Sequence, residues 1–120
     1  NQNIQKCINW CVQNNIEYLW YAAHSGDHEI YPDCRPEFID KMAAVLEICD
    51  YHKIKFEAPF QNLSKNEIVA TGLSMGLDYS KTWTCYEGKE KPCGKCSACL
   101  ERALSFEANN TEDPLNVVSN

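Results

Sequence analysis

Tyr18-Leu19-Trp20-Tyr21-Ala22-Ala23 is a short, continuous apolar run set between polar segments. It is too short for a buried helix and suits a buried parallel strand. Upstream, Ile4, Cys7, Ile8, Cys11 and Val12 recur at helical spacing across residues 3–14, and Asn14-Asn15 supplies a stop. Downstream, Pro36 suits the first turn of a second helix carrying Phe38, Met42, Val45, Leu46 and Cys49 on one face. Ile54-Lys55-Phe56-Glu57-Ala58-Pro59 alternates as a strand that the proline ends. Ser64 with Glu67 reads as a capping box opening a third helix with Ile68, Val69, Leu73 and Met75, closed by Gly76. Residues 98–108 read as a last helix and 109–120 as a weakly ordered tail. Helices alternating with strands predict an α/β fold around a parallel sheet. Ligands of such sheets bind beyond the carboxyl ends of the strands, which nominates the loops 24–35 and 60–65.

At 120 residues and 44% hydrophobic, the chain can bury one modest core. A net charge of -6 argues against a nonspecific grip on a nucleic-acid backbone. No apolar run approaches a membrane-spanning length, so neither nucleic acid nor membrane is expected as a partner. The chain opens at Asn1 and not at methionine, so a longer parent polypeptide is one expectation.

Cys85 is followed by Cys93-Gly94-Lys95-Cys96-Ser97-Ala98-Cys99, two overlapping CxxC spacings with a fourth cysteine one loop upstream. Four thiolates at this spacing can wrap one zinc ion tetrahedrally, and a closed four-cysteine site is structural by default. Lys89, Lys91 and Lys95 partly offset its negative charge. Disulfides are the competing reading of eight cysteines, but Cys7 and Cys11 sit one helical turn apart, as on a packed helix face. A reducing, cytoplasmic setting is therefore expected.

The first loop carries His24, Asp27, His28, Tyr31, Asp33, Arg35 and Glu37, a concentration of chemistry typical of functional loops. Other readings stay open: a solvated loop with an Asp33–Arg35 ion pair, a metal at His24, Asp27 and His28, or Cys34 as a nucleophile.

His24-Ser25-Gly26-Asp27, then Tyr31-Pro32-Asp33-Cys34-Arg35-Pro36-Glu37-Phe38, resembles the signature of the 7-cyano-7-deazaguanine synthase (QueC) family of queuosine biosynthesis. Ala58-Pro59-Phe60, Leu63-Ser64-Lys65, Thr82-Trp83-Thr84-Cys85-Tyr86, the Cys93–Cys99 ladder and Glu101-Arg102 come in that family's order. The resemblance implies the C-terminal portion of a Rossmann-like, parallel-sheet ATP-pyrophosphatase (PP-loop) fold with a zinc-binding loop and C-terminal helix. It implies substrate-loop residues 1–80, a zinc segment and helix 81–108, and a tail 109–120. It further implies the ATP-dependent conversion of 7-carboxy-7-deazaguanine and ammonia, through an acyl-adenylate and an amide, to the nitrile, with magnesium accompanying the ATP and the zinc structural.

On this resemblance Arg35 and Lys65 suit the developing phosphate charge, and His24 and Asp27 suit acid–base or ammonia-orienting roles. Asp33 or Glu37 can read the amine edge of the deazapurine, while Tyr31, Trp83 or Tyr86 can stack on its face. The family's SGGxDS phosphate loop has no counterpart in the sequence, which predicts a missing N-terminal half or a partner chain and little activity alone. The complete protein is expected to be a homo-oligomer. Competing functions are a related ligase with another acceptor, or a non-catalytic zinc-stabilised interaction module.

Overall fold

The computed structural model describes residues 2–117. The chain forms two compact units, Asn1–Leu63 and Ser64–Asn120. The second unit opens at the capping box, and the helix after Ser64 packs with the C-terminal helix.

In the first unit, helix α1 (Gln2–Gln13) buries Ile4, Ile8 and Cys11, one stripe at helical spacing. Asn15 ends it with φ +55, and the amides of Asn15 and Ile16 return to the carbonyls of Val12 and Cys11. This is a Schellman closure with asparagine in the left-handed position. Strand β1 (Tyr18–Trp20) pairs in parallel with β2 (Lys55–Glu57), with Leu19 opposite Phe56. Helix α2 (Pro36–Leu46) starts on its proline and connects the two strands. Ile4, Ile8, Cys11, Ile39, Leu46, Ile54 and Phe56 make one core, against which Leu19 packs. The Tyr21 ring joins it, 5.6 Å from Phe56 and 6.4 Å from Phe38.

The expectation of a fully buried first strand is corrected: Tyr18 is 49% and Trp20 68% exposed. Parallel strands are buried on both faces only where helices cover both. On this open face the cross-strand partners are polar, with Lys55 Nζ 3.3 Å from the Tyr18 hydroxyl and Trp20 Nε1 donating to Glu57 Oε2 at 3.2 Å. The second helix also ends at Leu46, before Cys49, which is exposed; within it Val45 faces solvent while Ile39 takes a core position.

In the second unit, helix α3 (Lys65–Ser74) opens on the expected capping box. The Ser64 amide donates to Glu67 Oε2 at 2.7 Å, and the Glu67 amide to Ser64 Oγ at 3.3 Å. Gly76, at φ +73, comes just after its last turn. The Tyr79 hydroxyl donates to the Val69 carbonyl, and a Cβ on Gly72 would lie 2.1 Å from that hydroxyl oxygen. Tyr79 meets Phe106 of helix α4 (Ser97–Ala108) edge-on at 5.1 Å. The segment after α4 is not the loose tail expected. Asp113 and Val117 are buried and Leu115 packs inward, because Asp113 neutralises a buried arginine of α4. Residues 118–120 of that expected tail lie outside the described residues.

Candidate functional site

The second unit brings Cys85, Cys93, Cys96 and Cys99 together, with their sulfurs all within 4.8 Å of one another. A tetrathiolate zinc ion with Zn–S near 2.3 Å has tetrahedral edges of about 3.8 Å, so the cluster fits. Among the described residues this is the one group of His, Cys, Asp or Glu placed to hold a metal ion. The alternative metal at His24, Asp27 and His28 thus finds no support.

Local backbone prepares the sulfurs for charge. The amides of Gly88 and Cys93 donate to Cys85 Sγ at 3.0 and 3.2 Å, and the Cys96 amide donates to Cys93 Sγ at 3.3 Å. The Cys93 amide, above all, draws the Cys85 thiol down to about 6. Amide bonds from Tyr86 and Cys99 lower Cys96 likewise. Cys99, 0% exposed, is pushed up to about 12 by burial. A buried thiolate at Cys99 needs a cation beside it, which a metal ion held by the four sulfurs would supply.

Two glycines shape this loop. Gly94 sits at φ +71, where the left-handed backbone favours glycine. Gly88 is constrained by space: a Cβ there would lie 2.2 Å from the Lys91 carbonyl oxygen and 3.1 Å from Cys85 Sγ. Sequence reasoning does not single out Gly88, whose only signal is its place between the first and second ligands. Trp83, half-exposed, donates its indole N–H to the Cys85 carbonyl at 2.9 Å. Lys65 lies 3.9 Å from Glu101.

In the first unit, the loop after β1 carries two short turns, Ser25–Asp27 and Pro32–Cys34. His24 is buried; its Nδ1 accepts from the Gly26 amide at 3.2 Å, which leaves Nε2 to donate to Asp27 Oδ2 at 3.1 Å. In the neutral ring both nitrogens are thereby engaged, so the carboxylate of the pair is the group with acceptor capacity to spare. Arg35 Nε donates to the His28 carbonyl at 2.7 Å, fastening the guanidinium to the loop. Asp33 and Cys34 meet the Tyr21 hydroxyl, whose pKa is pushed up to about 12 by burial and then by the Asp33 charge. Burial and the charges of Asp27 and Asp33 also raise the Cys34 thiol, which disfavours it as a neutral-pH nucleophile.

Not every nominated residue joins this cluster. Glu37 lies on the solvent side of α2, 76% exposed and paired with Lys41 at 2.7 Å. Tyr31 is half-exposed at the loop tip. Tyr21 belongs to the cluster although the sequence shows it only as part of the strand; the apolar run around it hides its hydroxyl. Two buried side-chain atoms, His28 Nε2 and Gln61 Oε1, have no hydrogen-bond partner among the described residues. Such atoms are costly unless water or a ligand meets them.

No helix among the described residues is long and apolar enough to cross a membrane. Residues 4–110 match the family described as "Queuosine biosynthesis protein QueC". A protein named 7-cyano-7-deazaguanine synthase in Marinobacter nauticus is 56% identical over 106 residues, 88% of this chain and 48% of the relative. Its namesake in Psychromonas ingrahamii is 53% identical over 90% of this chain and 49% of its own length. That of Pseudoalteromonas atlantica is 50% identical over 93% and 51%, respectively. The chain spans about half the length of the curated relatives it matches. With a match that runs from the first helix through the last, the chain belongs to the QueC family.

Proposed function

We propose that this chain supplies the substrate loop and metal centre of a 7-cyano-7-deazaguanine synthase. The observation that carries the reading is its 56% identity to a protein of that name across nearly all of its length. The reaction takes 7-carboxy-7-deazaguanine, ammonia and ATP with magnesium. ATP first converts the carboxylate to an acyl-adenylate, releasing pyrophosphate. Ammonia displaces AMP to give the amide, and a second adenylation at the amide oxygen permits loss of AMP to the nitrile. The ATP-gripping SGGxDS loop comes from a complementary half, N-terminal in the same polypeptide or a partner chain, within a PP-loop fold. This chain alone is inactive, and the complete enzyme is a cytoplasmic homo-oligomer.

Within this reading Asp27, held by His24, accepts a proton from the attacking ammonia. Arg35 is the candidate for the adenylate or pyrophosphate charge, and Lys65, at the start of α3, is a separate candidate for the same kind of anion. Asp33 is the better reader of the base's amine edge, since Glu37 is occupied by Lys41 in solvent. Tyr31 and Trp83 offer aromatic faces for stacking. The four cysteines hold one zinc ion, whose role is to fix the loop rather than to meet substrate. The test is Arg35→Ala in the complete protein. Turnover should fall by at least about 100-fold, the scale of one lost transition-state contact, with the circular dichroism spectrum unchanged. A variant turning over at the wild-type rate would remove this loop from the active site.

A further inference from the structure

We propose that Arg102 and Asp113 are positioning residues of the metal centre, and that residues 113–117 form a strap closing it. This rests on the metal reading above. Arg102 is 4% exposed and lies on α4 one turn beyond the ligand Cys99. Its guanidinium makes four hydrogen bonds: Nε to Asp113 Oδ2 and Nη2 to Asp113 Oδ1, both at 2.7 Å, Nη1 to Thr82 Oγ1 at 2.8 Å, and Nη2 to the Tyr79 carbonyl at 3.1 Å. Thr82 stands three residues before the ligand Cys85. One planar fork therefore ties the helix bearing Cys99, the segment leading to Cys85, and the strap.

Asp113 also shapes the strap on its C-terminal side. Its Oδ1 accepts from the Leu115 amide at 3.0 Å, and its carbonyl accepts from the Asn116 amide at 2.8 Å. This turn brings Leu115 and Val117 onto Cys85, Cys93, Cys96, Cys99 and Ala103, as a single apolar cluster. The strap thus covers the sulfurs with hydrocarbon, which limits the access of water and competing chelators. Without Asp113, the buried guanidinium loses its counter-charge and both attachments loosen together.

The experiment measures zinc release from the intact protein to a chromogenic chelator, together with the sulfur-to-cobalt charge-transfer spectrum of the cobalt form. Asp113→Asn and Arg102→Lys should release zinc at least about ten-fold faster than wild type, the scale seen for outer-shell partners. The cobalt band should shift, at temperatures well below unfolding. Ile54→Ala, in the core of the other unit, should lower the melting temperature without changing either readout. Val117→Ala keeps the ion pair and thins the cover, and should speed release even if the charge variants fail to fold. Variants that melt early yet release zinc at the wild-type rate would overturn the strap and leave the metal reading standing. A wild-type protein that takes up no metal would overturn both.

Discussion

Gly88→Ala tests whether the thiolate cluster is built as described. The new methyl carbon would lie 2.2 Å from the Lys91 carbonyl oxygen, 3.0 Å from Pro92 Cα and 3.1 Å from Cys85 Sγ. The nearest two atoms are backbone, so no side-chain rotation relieves the clash and the loop itself must move. Overpacking of this kind costs about 1–3 kcal/mol, and the shift also weakens the Gly88 amide bond to Cys85 Sγ. If the cost falls on the metal-bound form, affinity drops about 5- to 150-fold, at 1.4 kcal/mol per decade. The assay is a competition titration against a chelator of known affinity. Gly94→Ala is the comparison, because a Cβ there meets nothing within 4 Å and its penalty is the φ of +71 alone. That left-handed cost is about 1–2 kcal/mol. Wild-type affinity and melting temperature in Gly88→Ala would refute the packing of this loop.

Thiol labelling should modify the exposed Cys7 and Cys49 readily, while Cys85, Cys93, Cys96 and Cys99 stay protected until a chelator is added; mass spectrometry of the labelled peptides reads the order. Ser64→Ala should destabilise the protein by about 0.5–2 kcal/mol in urea titrations, the usual loss for an N-cap. The partner carboxylate of that box, Glu67, is held below its ordinary pKa by the Ser64 amide. Its contribution is therefore complete above the ordinary carboxylate value and lost as pH falls from there through the lowered pKa; it should persist in Ser64→Ala, which keeps the donating amide, and vanish from the pH profile of Glu67→Gln. In an ultraviolet titration, Tyr21 should ionise only near pH 12, above the ordinary tyrosine value of about 10. Its raised pKa makes the neutral phenol's contribution complete at neutral pH and lost only as pH rises above the ordinary value. Tyr21→Phe should remove this late step.

Much of the frame was legible because it is written in local chemistry. The capping box needs only Ser64 and Glu67, the second helix start needs Pro36, and the thiolate cluster arises from the spacing of Cys85 to Cys99. Parallel pairing is implied by helices alternating with strands, and the register then places Leu19 against Phe56. The features that stayed hidden depend on partners distant in sequence. The Arg102–Asp113 pair has no periodicity to announce it, so residues 109–120 read as a weakly ordered tail although Asp113 and Val117 are buried. Exposure of Tyr18 and Trp20 could not be read from an apolar run, because hydropathy does not reveal whether one face or both will be covered. Glu37 was nominated by its place in a motif, yet an i, i+4 lysine takes it on the solvent side of its helix.

The proposed activity is tested most directly by a single reaction. The complete protein containing this chain is incubated with 7-carboxy-7-deazaguanine, ATP, magnesium and isotope-labelled ammonia, and the products are read by mass spectrometry. Labelled amide should form first and labelled nitrile second, with AMP and pyrophosphate released and no product from residues 1–120 alone. ATP consumed without label entering the deazaguanine, or no consumption by the complete protein, would contradict the assignment.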